Sequence, residues 1–349
     1  MDPDLLLADL AAGNTATLAR AISVVENGRP GFERLLAGVH RSLGQARRIG
    51  ITGPPGAGKS TLVERLVIAY RAMGLRVGVV AVDPTSPFTG GALLGDRICM
   101  ESVALDAGVY IRSMASRGSL GGLATSTREV CDLLDAAGFD RILVETVGVG
   151  QSELDVTRMA DTTVLVLVPE SGDGIQTLKS GVMEAADIFA VNKADRPGAD
   201  KLKHEIEVTL GIRRGNAYRN LPAHHGSRPA GRSGKRVEAE SPVAGDGPWP
   251  HAVVLTVAAK GEGIDQLVAA LDRHHEWLGR SGTLDQRRRR RMLERTREVV
   301  ERAARRWMWD ETHAEQLISD RLDQMVEGRL SPYDVATEVL DGLKQGTRL

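Results

Sequence analysis

Short runs of apolar, often β-branched residues alternate with longer segments of helical periodicity from about residue 47 onward. Several runs, including Val77–Val82 and Val164–Val168, lack polar alternation, which is typical of strands buried on both faces. The predicted strands are Arg48–Thr52, Val77–Val82, Val109–Arg112, Arg141–Glu145, Thr163–Val168, Asp187–Val191 and Val253–Val257. The predicted helices between them include Lys59–Met73, Thr125–Ala137 and Ala199–Leu210. The pattern predicts an α/β fold with a doubly wound, mostly parallel sheet.

Helical segments flank this α/β domain, which we place at residues 44–278. Residues 1–43 predict an N-terminal helical extension, in which Asn14 caps a helix over Thr15–Val25 and Pro30 opens the next helix. Residues 279–349 predict a C-terminal helical extension. Two of its helices, near 311–326 and 332–344, carry apolar stripes that must be buried. The stripes fit either a homodimer contact or packing back on the same chain.

Residues 213–250 interrupt the α/β pattern with Gly, Pro, Ser, His and Arg. So few apolar residues cannot offset the ordering entropy of the segment, so we expect a mobile insert. His224 and His225 lie within it, and we interpret them as solvated loop histidines rather than as a metal site.

Composition narrows the class of protein. The 349 residues are 42% hydrophobic and 26% charged, and 45 Lys and Arg balance 46 Asp and Glu. That balance argues against a dedicated nucleic-acid binder, and the run Arg287–Arg291 is followed by glutamates at helical spacing, which favours an ion-paired helix face. Cys99 and Cys131 are too few for a disulfide framework. With an acidic N-terminus and no long apolar run, we expect a cytoplasmic protein without a membrane segment.

One short sequence motif predicts phosphate binding. It fits the pattern G-x-x-x-x-G-K-[ST] and lies between a predicted strand and a predicted helix. Its glycines let backbone N–H groups turn toward phosphate oxygens, and the helix N-terminus adds positive potential. Lys59 is expected to reach the β- and γ-phosphates and Ser60 to bind Mg²⁺. The candidate nucleotide-binding residues of this loop are Gly53, Pro54, Pro55, Gly56, Ala57, Gly58, Lys59, Ser60 and Thr61.

A second sequence motif indicates which nucleotide base is bound. Asn192, Lys193 and Asp195 form N-K-x-D at the end of a predicted strand, where ligands of parallel sheets bind. The Asp195 carboxylate can accept hydrogen bonds from guanine N1–H and N2–H₂, which adenine cannot supply, and the Lys193 stem can cover the base. After the next strand, the turn Val257-Ala258-Ala259 offers a backbone N–H for guanine O6, and Ala258 can serve as that donor. GTP is favoured over ATP.

Acidic and glycine residues at two further strand ends complete the candidate site. Glu145 and Gly148 follow an apolar strand, where the carboxylate can hold the Mg²⁺ shell or position water and the Gly148 N–H can approach the γ-phosphate. Asp83 ends another strand, and Asp96 lies in a Gly-rich loop. Either aspartate can bind the metal directly or through water. The predicted catalytic residues are Lys59, Glu145 and Gly148, and the predicted Mg²⁺ ligands are Ser60, Asp83, Asp96 and Glu145.

Five sequence motifs, in this order, resemble those of the MeaB/ArgK family of P-loop GTPases: GPPGAGKST, VDPTSPFTGGALLGDR, RGSLGGLA, ETVGVGQSE and NKAD. The methylmalonic aciduria type A protein of human is a member of that family. The resemblance covers residues 30 to 345 and implies a GTPase that acts as a chaperone for adenosylcobalamin-dependent methylmalonyl-CoA mutase or a related acyl-CoA mutase. It further implies dimerisation through C-terminal helices and a switch over Val147–Glu153. The chain departs from the family in its 213–250 insert and in having Val257 where serine is expected.

The reaction that follows is GTP plus water to GDP plus phosphate, by in-line attack on the γ-phosphorus. Val149 stands where many fast GTPases have a water-orienting glutamine, so we expect slow turnover that the mutase accelerates. Two alternatives remain. A small-molecule kinase of the arginine or ornithine type needs an acceptor pocket with its own base, and the sequence offers no separate candidate. A metal-delivery GTPase usually carries a His-rich tract or paired cysteines, and this chain has eight His and two separated Cys.

Overall fold

The computed structural model of the chain describes residues 3–11, 13–83, 100–115, 122–146, 152–170, 181–213 and 247–344. The chain divides into two compact units, Met1–Arg287 and Arg288–Leu349. The strands are β1 (Arg47–Thr52), β2 (Val77–Asp83), β3 (Val109–Ala115), β4 (Arg141–Thr146), β5 (Thr162–Leu167), β6 (Ile188–Val191) and β7 (Ala252–Leu255). The helices of the first unit are α1 (Pro3–Ala11), α2 (Thr15–Glu26), α3 (Phe32–Val39), α4 (Lys59–Ala72), α5 (Gly122–Ala136), α6 (Ser152–Met159), α7 (Gly181–Ala185), α8 (Ala199–Arg213) and α9 (Ile264–Arg280). Helix α10 (Thr283–Arg306) begins in the first unit and continues into the second.

The described strands form one seven-stranded sheet in the order β3-β2-β4-β1-β5-β6-β7, and every recorded pairing is parallel. The doubly wound fold class predicted from the sequence is therefore confirmed. Each predicted strand is found, with shifted ends. The last strand ends at Leu255 rather than Val257, because the Val257 N–H turns away to pair with the Glu262 carbonyl.

Helices cover both faces of the sheet. Helices α4 and α9 pack on one face, where Leu62, Leu66 and Leu267 are fully buried against apolar strand residues. The other face is covered by α5, α6 and the N-terminal helices, with Ile22 and Leu35 in the same buried cluster as strand residues. Burial on both faces explains why the strands lack polar alternation.

A carboxylate on α5 binds the segment that connects the N-terminal helices to β1. Asp135, on α5, accepts backbone N–H bonds from Gly44 (2.8 Å), Gln45 (3.1 Å) and Ala46 (2.9 Å), just before β1 begins. The predicted cap at Asn14 is also confirmed, since its side chain accepts from the N–H groups of Ala16 and Thr17. The start of β1 is therefore held by a side chain that lies 89 to 91 positions further along the sequence.

The second unit is helical. It contains most of α10, a π-turn (Trp307–Glu311), α11 (Ala314–Val326) and α12 (Pro332–Lys344). Arg321 on α11 binds the Glu338 carboxylate of α12 through two nitrogens, at 3.1 and 2.7 Å. Its exposed large apolar residues are Met292, Leu293, Val299, Val300, Trp307, Trp309, Leu322, Val326, Tyr333 and Leu340. Across the described residues, no helix combines the length and apolar character that crossing a membrane requires.

The arginine run of α10 is engaged with carboxylates at two of its positions. Arg287 binds both oxygens of Asp187, at 3.0 and 2.8 Å, and Arg290 pairs with Glu294 one turn later on the helix. The Arg290–Glu294 pair agrees with the ion-paired helix face predicted from the sequence, whereas Arg287 binds a buried carboxylate that lies outside α10.

Candidate functional site

The candidate site lies where the carboxyl ends of the central strands meet. Since β4, β1, β5, β6 and β7 are adjacent and parallel, the residues that follow β1, β4, β6 and β7 come to the same edge of the sheet. This edge therefore brings together the loop that starts at Gly53, the Glu145 carboxylate, Asn192 and the turn that starts at Val257.

Two glycines shape the phosphate loop between β1 and α4. Gly53 has φ of 141°, and a Cβ there would lie 2.1 Å from the Val166 carbonyl oxygen. Gly58 has φ of 83° and stands at the N-terminus of α4, which has no side-chain cap. Because Gly58 has no side chain that could cap the helix, the N-terminus of α4 is suited to an anion.

Lys59, the first residue of α4, is 6% exposed. Its ammonium donates hydrogen bonds to the carbonyl oxygens of Gly53, at 2.8 Å, and Pro54, at 3.0 Å. The positive charge is therefore held at the mouth of its own loop, next to the helix N-terminus. Thr61 follows in the first turn of the same helix.

Ser60 and Glu145 meet across the sheet edge. The Ser60 hydroxyl donates a 2.7 Å hydrogen bond to Oε1 of Glu145, and the Glu145 side chain is fully buried at the end of β4. Next to this pair, the Thr146 hydroxyl donates to the Thr52 hydroxyl at 3.1 Å, which ties the end of β4 to the end of β1. The pair supplies a hydroxyl and a carboxylate, the oxygen donors that Mg²⁺ takes in proteins.

Asn192 joins the phosphate loop to the turn after β7. Its amide nitrogen donates to the Ala57 carbonyl at 2.8 Å. Its amide oxygen accepts from the Ala258 N–H at 3.0 Å and from the Thr256 hydroxyl at 3.2 Å. The side chain is 2% exposed, so these three bonds are made away from water.

The backbone turns at Lys193, directly after Asn192, and bonds to the residue that follows β7. Lys193 has φ of 56°, a left-handed conformation that costs free energy for a residue with a Cβ. The next N–H, that of Ala194, donates to the Thr256 carbonyl at 3.0 Å, which holds the bend. Asp195 then lies at the surface, and its carboxylate pairs with the Lys260 ammonium at 3.2 Å.

The turn after β7 is a 3₁₀ helix over Ala258–Lys260. The Val257 N–H donates to the Glu262 carbonyl at 3.0 Å, the Ala258 N–H to Asn192, and the Lys260 N–H to the Val257 carbonyl at 2.9 Å. On the opposite side, the Arg65 guanidinium of α4 donates to the carbonyl oxygens of Ala258 (3.1 Å) and Ala259 (3.0 Å).

Several predicted site residues lie partly or wholly outside the described part of the chain. The backbone of Asp83 ends β2 in register with Ala115, and its side chain lies outside the described residues. Asp96, Gly148 and most of the predicted switch segment also lie outside those residues. Within the described part of the chain, no three His, Cys, Asp or Glu side chains form a cluster that could hold a metal ion by themselves.

Three residues of the site were not predicted from the sequence: Arg65, Thr256 and Lys260. Lys260 directly follows the turn Val257-Ala258-Ala259, and a lysine at that position was the available sequence signal. Thr256 is a buried hydroxyl in an apolar run. Arg65 has no sequence signal, because it reaches the turn only when α4 and β7 are brought together by the fold.

The chain is similar to proteins that are named as GTPases. The family described as "Methylmalonyl Co-A mutase-associated GTPase MeaB" matches residues 18–313. A Pyrococcus abyssi protein named as a GTPase is 45% identical over 297 residues, which cover 85% of this chain and 83% of that protein. The mouse protein "Methylmalonic aciduria type A homolog, mitochondrial" is 42% identical over 207 residues, covering 55% of this chain and 50% of that one.

A solved structure extends the similarity to the whole fold. The crystal structure of a protein called LAO/AO transport system kinase aligns with a TM-score of 0.65 at 27% identity, over 98% of this chain and 97% of that one. The family match, the relatives and this fold lead to one conclusion: the chain belongs to the MeaB family of P-loop GTPases.

Proposed function

We propose that the chain binds GTP with Mg²⁺ along the carboxyl edge of its sheet, hydrolyses it, and uses the nucleotide state to act as a chaperone for an adenosylcobalamin-dependent acyl-CoA mutase. The observation that carries the nucleotide site is the buried Asn192 amide, which bonds both to the phosphate loop and to the turn after β7. One nucleotide spanning that edge has its phosphates at one end and its base at the other.

At the phosphate end, the Lys59 ammonium exchanges its two loop carbonyls for β- and γ-phosphate oxygens. The carbonyls hold the ammonium close to its working position, so little reorganisation is needed. The N–H groups of the loop and of the α4 N-terminus donate to the same phosphates. Together they stabilise the charge that develops on the phosphoryl oxygens during in-line attack of water.

The Ser60–Glu145 pair fits Mg²⁺. Ser60 would bind the ion through its hydroxyl, and Glu145 would hold the ion's shell or a water, since its carboxylate lies within hydrogen-bond distance of that hydroxyl. Asp83 and Asp96 are the further acidic candidates. When bound, the ion would supply charge neutralisation at the phosphates.

At the base end, Asp195 accepts from guanine N1–H and N2–H₂, and the Lys193 stem covers the ring. Lys260 pairs with Asp195 at 3.2 Å and so orients its carboxylate at an exposed position. A base without those two donors leaves the carboxylate unmatched, and this mismatch gives selectivity against ATP.

The regulatory part of the proposal rests on the family. Methylmalonyl-CoA mutase or a related acyl-CoA mutase is the proposed partner, and Val147–Glu153, with Gly148, is the proposed switch. Turnover without the mutase is expected to be slow, since Val149 cannot orient water. The exposed apolar residues of the second unit support a homodimer formed through the C-terminal helices.

Calorimetry on the wild-type chain and on Asp195→Asn tests the proposed site. Wild type should bind GTP and GDP at least 100-fold more tightly than ATP, a ratio on the order of what two matched hydrogen bonds supply. Asp195→Asn should lose about 100-fold in GTP affinity, which is the range for two hydrogen bonds to a charged group, and should gain affinity for xanthosine triphosphate, whose O2 accepts from the new amide. No heat with guanosine nucleotides, or unchanged discrimination in the variant, contradicts the proposal.

A turnover assay tests the partner. Phosphate release from GTP should be slow alone and several-fold faster with purified methylmalonyl-CoA mutase. The transport-system-kinase name of the solved relative motivates a control with arginine and ornithine present. Radiolabelled phosphate that appears on either amino acid, rather than in solution, would favour kinase activity over GTP hydrolysis.

A further inference from the structure

Arg65 connects the phosphate-binding helix to the turn after β7. It lies on α4, whose first residue is Lys59, and its guanidinium donates through Nε to the Ala258 carbonyl and through Nη2 to the Ala259 carbonyl. Two consecutive peptide groups are thus held by one rigid, planar group, which fixes their orientation better than a single bond would.

The orientation of those peptides decides where the N–H groups of the turn point. In a trans peptide, the C=O of one residue and the N–H of the next point in opposite directions. Since Arg65 holds the Ala258 carbonyl on the α4 side, the N–H of Ala259 is directed to the opposite side of the turn. The Arg65 contact, together with the Gly261 N–H that donates to the same carbonyl at 3.1 Å, therefore aims one particular donor.

That donor is also the one that the turn leaves available. The N–H groups of Val257, Ala258 and Lys260 are all engaged, with Glu262, Asn192 and Val257 respectively. Within the described residues, the Ala259 N–H donates to no acceptor. The expected guanine O6 donor is therefore Ala259 rather than Ala258, whose N–H is committed to the buried Asn192 amide.

We propose that Arg65 is a positioning residue for base recognition, which orients and polarises the Ala258–Ala259 peptide so that its N–H reads the 6-oxygen of guanine. This inference rests on the proposed GTP site and deepens it. Arg65 does not touch the nucleotide. A cation bonded to a peptide oxygen makes the N–H of the same peptide a stronger donor, and the two bonds hold that donor still.

Guanine analogues that differ at single positions separate this role from general support of the fold. 6-Thio-GTP keeps N1–H and the 2-amino group but replaces the 6-oxygen with a poor acceptor. Inosine triphosphate keeps the 6-oxygen but lacks the 2-amino group that Asp195 binds. Affinities of GTP and both analogues are measured by calorimetry for wild type, Arg65→Ala and Arg65→Lys.

Wild type should prefer GTP to 6-thio-GTP, and Arg65→Ala should reduce that preference about tenfold, the effect of losing one well-aligned hydrogen bond. The preference for GTP over inosine triphosphate should stay unchanged, since Asp195 is intact. Arg65→Lys keeps the charge but not the planar fork. Its preference for GTP over 6-thio-GTP should therefore fall between those of wild type and Arg65→Ala. Arg71→Ala is the matched control, because Arg71 lies on the same helix and bonds to Asp106 and the Leu75 carbonyl instead of the turn.

Other outcomes overturn the inference in distinguishable ways. If Arg65→Ala weakens GTP and both analogues by the same factor, Arg65 supports only the fold of the turn. The inference also fails if Arg71→Ala changes the ratio of GTP to 6-thio-GTP affinity equally, because the effect is then not specific to the Arg65 contact. If wild type binds no guanosine nucleotide, the proposed GTP site itself fails, whatever the variants do.

Discussion

The Asn192 amide nitrogen donates a 2.8 Å hydrogen bond to the Ala57 carbonyl, across 135 positions of the sequence. The same side chain accepts from the Ala258 N–H, so the phosphate loop and the turn after β7 share one buried group. We therefore expect that a change at either element affects the other. This coupling makes Asn192 the first position to test.

Asn192→Ala should lower the free energy of unfolding by about 2–4 kcal/mol, because three hydrogen bonds are lost and the Ala57 carbonyl and Ala258 N–H lose their amide partner. Denaturant titration of the nucleotide-free chain measures the loss. Thr256→Val removes one of the three bonds and should cost only about 1 kcal/mol. Equal losses in the two variants would show that Asn192 does not act as the link.

Gly58→Ala should destabilise the nucleotide-free chain more than Gly56→Ala does. Both residues have positive φ, so both substitutions carry a backbone cost of about 1 kcal/mol. Only at Gly58 would the new Cβ lie 2.5 Å from the amide nitrogen of Asn192, whereas nothing lies within 4 Å at Gly56. The difference between the two unfolding free energies therefore measures the close approach of Gly58 to Asn192, and a zero difference would contradict it.

Glu145→Gln should raise the Mg²⁺ concentration needed for half-maximal GTP binding by about 10- to 100-fold, the usual effect of altering a group that supports a metal ligand. Glutamine keeps an acceptor for the Ser60 hydroxyl and removes the charge, so the fold is preserved. Fluorescence titration at several Mg²⁺ concentrations measures the shift. Binding of GDP measured without Mg²⁺ serves as the control. An unchanged Mg²⁺ dependence of GTP binding would exclude Glu145 from the metal site.

The buried His274 on α9 should make stability fall as the pH falls below about 6.5. Burial lowers its pKa to about 4, against the opposing effect of the Asp187 carboxylate, while its Nδ1 lies 2.9 Å from the Thr162 hydroxyl. The unfolded chain, with an ordinary histidine pKa near 6.5, therefore binds a proton between pH 6.5 and 4 that the folded chain does not. Protonation favours the unfolded state across that window, by at most about 3 kcal/mol at its acid end.

His274→Asn removes this titration and keeps a group that can bond to Thr162. The unfolding free energy of the variant should decline less steeply than that of wild type between pH 6.5 and 4, as measured by denaturant titration at each pH. His204→Asn, at an exposed position of α8, is the matched control. Parallel pH profiles for wild type and His274→Asn would refute the assignment.

The elements of the fold were predictable because their signals are local. The run Val164–Val168 and its counterparts are apolar over several consecutive positions, and contiguous words of four to nine residues mark the phosphate loop and the Asn192–Asp195 segment. The ends of elements were less predictable. Val257 fits the apolar pattern of a strand, yet its N–H pairs with Glu262 in the following turn, a choice made by the chain beyond it.

The sequence by itself determined the strand and helix order, the parallel sheet and the residue types at each strand end, since these depend on periodicity and on neighbours in the chain. Only the tertiary structure decided which of those residues touch. Ser60 reaches Glu145 across 85 positions and Arg65 reaches Ala258 across 193, and both contacts follow from the order of strands in the sheet. Hydrogen bonds between distant residues depend on the packing of whole elements, which leaves no trace in any short stretch of sequence.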